Sequence, residues 1–124
     1  MLIKIKKSPK QNKKHRVIFE DKTHVDFGAT GYSDYTLHKN PIRMRSYVKR
    51  HGGKIKPNLM NEIDPQKIQK RMLNVTDSSK EDWSKNGIKT AGFWSRWYLW
   101  SYPSRIKATQ FIKKKFQLKI TNID

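Results

Sequence analysis

The chain contains no cysteine. That excludes a disulfide framework and thiolate zinc sites, and it fits a reducing compartment. It is also short of acid. Ten Asp and Glu stand against 28 Lys and Arg, a formal net charge of +18 over 124 residues. Self-repulsion at that density disfavours a compact lone monomer. The expected partner is therefore acidic: nucleic acid, an acidic protein surface or anionic lipid heads. No apolar run approaches the roughly 20 residues of a membrane span. The opening MLIKIKKSPK holds no apolar stretch of the signal-peptide kind. With 35% hydrophobic residues there is material for one modest core and a single domain. No internal repeat is visible.

Catalytic constellations are missing too. His15, His24, His38 and His51 are scattered, and so are the carboxylates. His24-x-Asp26 puts two side chains on one strand face, but no further ligand spacing accompanies it, so neither a metal nor a cofactor is expected. Gly28-Ala-Thr-Gly31 follows a strand as a phosphate loop would, yet it lacks the Gly-Lys-Ser/Thr ending. Ser33, Ser95 and Ser104 have no nucleophile-elbow context. The chain reads as non-enzymatic.

What is present is aromatic and basic. The segment Thr90–Tyr102, TAGFWSRWYLWSY, holds three of the four tryptophans. Read as a helix, Phe93, Trp97 and Trp100 share one side, with Trp94 and Tyr98 beside them. Gly92 and Ser95 leave room for another backbone. So little polar surface in so polar a chain predicts burial, and these five aromatics are the expected core. Arg96, the one charge in the segment, is expected to stack on Trp94 or Trp97 or to pair with a buried acid.

Two strands are expected at His15–Glu20 and Thr23–Phe27 around an Asp21-Lys22 turn. A third would come from Leu2–Ile5 or Gln117–Ile120. Residues 1–14 read as a basic arm, solvated, or lying on a polyanion, or docking as an added strand. Gly28–Lys39 reads as a loop pinned by Tyr32, Tyr35 and Leu37. Asn40-Pro41 and Asp64-Pro65 are cap-plus-proline helix starts. The first helix ends at Gly52-Gly53. It places Met44, Tyr47, Val48 and His51 on one face, between Arg43 and Arg50 on one side and Arg45 and Lys49 on the other. Residues 54–63 read as a linker and 76–87 as a polar loop. Pro103 opens a last helix with Ile106, Phe111 and Ile112 inward and Lys113–Lys115 at its end, followed by a strand-like tail to Asp124. The fold class is therefore α+β: an N-terminal hairpin, extended by a terminal strand, on three or four helices around a Trp-rich one, over residues 15–124.

Two segments, VDFGATGYSDYTLHKNPIRMRSYVKRHGG and TAGFWSRWYLWSYPS, resemble a family of small basic proteins of large eukaryotic double-stranded DNA viruses, among them algal viruses and mimivirus relatives. The matching pieces are Phe27-Gly28, Gly31 through Thr36, Arg50-His51, and Ala91-Gly92 through Ser95-Arg96-Trp97 to Leu99-Trp100. They cover about a third of the chain. The family has no assigned enzymatic activity, so the resemblance implies a virion context and no mechanism. The first expectation within it is a minor capsid or cement protein on the inner side of the shell, assembled in the host cytoplasm and binding acidic patches of neighbouring capsid or other virion proteins. The alternative is sequence-independent DNA or RNA binding for genome packaging. In either case the contact residues would be Lys4, Lys6, Lys7, Lys10, Lys13, Lys14, Arg43, Arg45, Lys49, Arg50, Lys113, Lys114 and Lys115.

Overall fold

The alternation in LIKIKK puts Ile3 and Ile5 on one face and Lys4 and Lys6 on the other, the period of a strand with one buried side. The computed structural model, which describes residues 1–123, bears this out. Strand β1 is Leu2–Lys7, with both isoleucines fully buried. Strands β2 (Lys13–Ile18) and β3 (His24–Ala29) form the expected hairpin around Asp21-Lys22, with Lys22 at φ 73° in the turn. Strand β4 (Lys119–Asn122) lies parallel to β1. The sheet order is β3-β2-β1-β4.

Of the readings of residues 1–14, the added strand is the one the structure shows, and not a solvated arm. Strand β1 sits inside the sheet, because burying Ile3 and Ile5 costs the lysines nothing while they point to the solvated face. Lys13 and Lys14 begin β2. Both candidate terminal strands join the hairpin, so four strands replace the expected two or three. Asp124, the end of the expected tail, lies outside the described residues.

Helix α1 (Tyr35–His38) is a single turn capped by Asp34, which accepts from the Thr36 amide at 2.9 Å. Tyr35 is buried, but Tyr32 and Leu37 are 74% and 64% exposed, so only one of the three expected anchors holds this loop. Helix α2 (Pro41–Arg50) starts where its cap places it. Asn40 Oδ1 accepts from the amides of Ile42 and Arg43 at 2.9 and 3.3 Å. Asn40→Ala should cost about 1 kcal/mol, read as a lower denaturation midpoint at an unchanged m-value. The segment expected as a linker contains the single-turn α3 (Pro57–Met60). Helix α4 (Pro65–Met72) carries the expected Asp64 cap. The polar loop that follows has one 3₁₀ turn, Lys85–Gly87.

The aromatic helix is shorter than the sequence predicts. It runs as α5 (Ala91–Trp94), widens into a π turn over Ser95–Leu99, and ends at Trp100. Phe93, Trp94 and Trp97 are fully buried, and Tyr98 and Trp100 nearly so. The indole N–H groups find acceptors, as buried ones must: Trp94 donates to the Ile88 carbonyl at 2.7 Å and Trp97 to the Trp83 carbonyl at 2.9 Å. Trp83, outside the aromatic helix, is the fourth buried tryptophan.

Arg96 lies at the centre of this core and is fully buried. It stacks over Trp97 at 4.4 Å, as expected, but its second ring is Trp83 at 5.5 Å, and no ion pair joins it to an acid among the described residues. Instead it donates to the carbonyls of Trp100 (2.8 Å), Met72 (2.6 Å) and Val75 (3.2 Å). Met72 closes α4, so the cation also meets the negative end of a helix. Burial pushes the guanidinium down to about 9, and it remains charged at neutral pH.

The last helix, α6 (Arg105–Phe116), is opened by Ser104, which accepts from the Lys107 amide; Pro103 merely precedes the cap. Its inward face is Ala108, Thr109, Ile112 and Phe116. Ile106 is 71% exposed and Phe111 only half-buried, because residues six apart, such as Ile106 and Ile112, do not share a helix face.

Candidate functional site

Most carboxylates of the described residues are engaged within the fold. Asp26 accepts from Arg16 at 2.9 and 3.0 Å and from Ser8 at 2.8 Å, with Lys10 at 3.7 Å. Asp34 caps α1 and takes Lys14 at 2.8 Å. Asp21 pairs with Lys89, Asp64 caps α4, and Glu62 approaches Arg71 at 3.6 Å. Most of the lysines and arginines have no such partner among the described residues, and the surplus of charge faces outward.

The Arg16 hydrogen bonds, opposed by burial, hold the Asp26 carboxyl well below the usual aspartate range. A depressed folded value means that this group stabilises the fold above about pH 4, the unfolded value. That stabilisation is lost as pH falls below it. Asp26→Asn should flatten the acid limb of the stability curve between about pH 4 and 2 relative to wild type, by chemical denaturation at each pH.

A hollow beside α2 gathers surplus cations from several segments. It encloses about 480 Å³ and is built by three walls. The hairpin end supplies Lys13, Lys14, Gly28 and Ala29. The following loop supplies Tyr32, Ser33 and Asp34. Helix α2 supplies Arg43, Tyr47, Arg50 and His51, spaced so that one face points inward. The aromatic helix closes the third side with Ala91, Ser95, Leu99 and Trp100. A rigid stack underlies it. Tyr47 lies on Trp100 at 4.2 Å, 3° from parallel, and His51 lies on Tyr47 at 4.0 Å. Burial, with Glu81 next, pushes the Tyr47 phenol well above its ordinary value, so it stays neutral. Glu81 fixes the far end of the stack: its two oxygens engage His51 Nδ1 at 3.1 Å and the Trp83 indole at 2.8 Å. Gly92 makes room for that carboxylate, since a Cβ there would lie 2.7 Å from it. Gly28, at φ 78°, has Leu99 and Lys14 against it, and a Cβ would come within 3.0 Å of Leu99.

Of the contact residues expected from sequence, Lys13, Arg43 and Arg50 meet in this hollow. Lys14 lines it but is spent on Asp34. Lys4 and Lys6 lie on β1 away from the buried face, and Lys7, on the side of Ile3 and Ile5, is exposed at the strand's end. Lys49 is exposed beside a separate groove with Gly52–Lys56. Lys113, Lys114 and Lys115 are exposed on α6, with Lys115 drawn over the Trp97 ring at 5.6 Å. Arg45 is not a surface contact at all. It is 9% exposed and donates to the carbonyls of Leu59 and Glu62 at 2.7 and 2.8 Å, holding the α3 turn against α2. Lys10 is half committed to Asp26.

Sequence reasoning passed over Tyr32, Tyr47, His51, Glu81 and Ser95 as site residues. The signal that could have found most of them is the resemblance itself: its two segments, some 40 residues apart, form opposite walls of the one hollow. Residues 3–51 match the model of a family described as a family of unknown function, DUF5754. The match spans the first three strands and α2 and stops short of the aromatic helix. No curated protein and no solved structure matches the chain.

A larger hollow of about 800 Å³ runs along α6, lined by Tyr102, Lys107, Gln110, Phe111, Lys114 and Lys115. Apart from Tyr102 its lining comes from α6 alone. Among the described residues no three His, Cys, Asp or Glu side chains are grouped to hold a metal. His24 Nε2 and Asp26 are 3.8 Å apart, and that carboxylate is already bound to Arg16. Among the described residues no helix is long and apolar enough to cross a membrane.

Proposed function

We propose that this is a non-enzymatic protein that holds nucleic acid by its phosphates, independently of base sequence. The observation that carries the reading is the convergence of Lys13, Arg43 and Arg50 in one hollow whose only lining acid, Asp34, is already paired with Lys14. Guanidinium groups bind phosphate oxygens in planar pairs of hydrogen bonds. The lysines of the outer sheet face and of α6 extend the same field over the rest of the surface. Phosphate contacts of this kind supply affinity without reading sequence.

Fluorescence anisotropy with labelled oligonucleotides over a salt series tests it. Tight binding at 50 mM salt, falling log-linearly with salt concentration and indifferent to sequence, is expected. Absence of binding at 50 mM salt would sink the proposal.

A second reading keeps the adhesive virion role implied by the resemblance, in which the acidic partner is a neighbouring capsid protein. Leu37 and Ile42, 64% and 49% exposed at the start of the helical region, favour it as apolar contact points. A protein partner bound through them would be retained in salt that strips a nucleic acid off.

A further inference from the structure

The basic hollow is too small for a duplex and has an unused ring at its edge. Tyr32 lines it and is 74% exposed, whereas Tyr35, Phe27, Trp94, Trp97, Tyr98 and Trp100 are all buried. Leaving a tyrosine in water costs the burial it would gain elsewhere in the core. The loop holds it there. Gly31, next to it, sits at φ 86° with nothing within 4 Å of where a Cβ would be. Glycine is therefore needed at 31 for the backbone turn and not for space, and that turn sets the position of residue 32. Across the hollow stand Arg43 and Arg50, seven residues apart on the same face of α2. Their floor, the Tyr47–Trp100 stack, is closed by its own packing and offers no free face for insertion.

Deepening the reading above, on which it rests, we infer that this hollow takes one nucleotide of a single strand, with the base stacked on Tyr32 and the adjoining phosphate on Arg43 and Arg50. A single strand splays a base away from its neighbours readily, whereas a duplex must first unpair and unstack it. Stacking is tolerant of sequence because every base presents a flat face. The chemistry shared by DNA and RNA strands, base and phosphate, is what the hollow addresses. Ser33 adds a hydroxyl to the same lining, whereas the Ser95 hydroxyl is engaged by Tyr47.

The test compares wild type, Tyr32→Ala and Tyr32→Phe by anisotropy against labelled dT20, rU20 and a 20-base-pair duplex, at one salt concentration. Circular dichroism confirms that the variants are folded, as an exposed side chain predicts. Tyr32→Ala should weaken dT20 and rU20 by roughly tenfold and leave the duplex within about twofold, the spread of a side chain that makes no contact with it. Tyr32→Phe should bind both strands as wild type does. Equal weakening of all three nucleic acids, or of none, would overturn the stacking role while the phosphate reading stands. A preference of more than about tenfold, one decade in affinity, for one sugar would overturn the assignment to base and phosphate. If no nucleic acid binds wild type at all, the proposed function itself falls, and that outcome is told apart from the others by the wild-type curve alone.

Discussion

Trp97→Ala is expected to destabilise the domain by about 3–5 kcal/mol, a large fraction of what a chain this size has in hand. The tryptophan is fully buried, packs against Phe111 and Phe116 at 5.6 and 5.9 Å, and carries the Arg96 guanidinium on its face. Its indole N–H also satisfies the Trp83 carbonyl. Alanine would remove the ring, the stacked cation's partner and a buried hydrogen bond together. The remaining guanidinium would still have its three carbonyls but would lie beside a void. Urea denaturation should show the lower midpoint or, at 37 °C, a molecule already unfolded. A loss below about 1 kcal/mol, the scale of ordinary surface changes, would mean that the aromatic segment is a contact surface and not the core.

The second large effect is on binding. Arg43→Ala with Arg50→Ala should reduce affinity for dT20 on the order of a hundredfold, taking about 1.5 kcal/mol for each lost charge-assisted contact. Both side chains are exposed and make no hydrogen bond to the rest of the chain that would hold the fold, so stability should move little. Arg45→Ala is the matched control with the opposite signature. It removes two hydrogen bonds to the α3 turn and should destabilise, with little direct effect on affinity in the folded fraction.

Local chemistry made several elements legible. Asn40-Pro41 and Asp64-Pro65 each open a helix because an amide or carboxylate oxygen and a preset φ leave the following backbone few alternatives. The burial of Phe93, Trp94, Trp97, Tyr98 and Trp100 followed from their density in a chain otherwise rich in lysine. What local chemistry hides is partnership across the fold. Lys4, Lys6 and Lys7 made β1 look like an arm, although its two isoleucines are what the sheet closes over. Arg45 looked like a surface cation because the carbonyls it serves lie 14 and 17 residues away, on a turn with no periodic signature. Arg96 stacks on Trp97 as one of its two expected roles, and the carbonyls it also serves are backbone acceptors, which leave no trace in sequence. The hollow was invisible for the same reason. It needs α2, the Gly28–Asp34 loop and the π turn to meet, and the π turn widens the aromatic helix just where Ser95 and Leu99 line the wall.

The salt slope of dT20 affinity, measured for wild type and for the Arg43→Ala, Arg50→Ala double variant, tests the central claim most directly. A single strand loses roughly 0.7 in the slope of log K against log salt for each phosphate contact removed. Both arginines hold the same phosphate, so the double variant should have a slope shallower by about 0.7, alongside its lower affinity. An unchanged slope, with affinity unchanged or uniformly lower, would show that these arginines do not touch phosphate and would contradict the account.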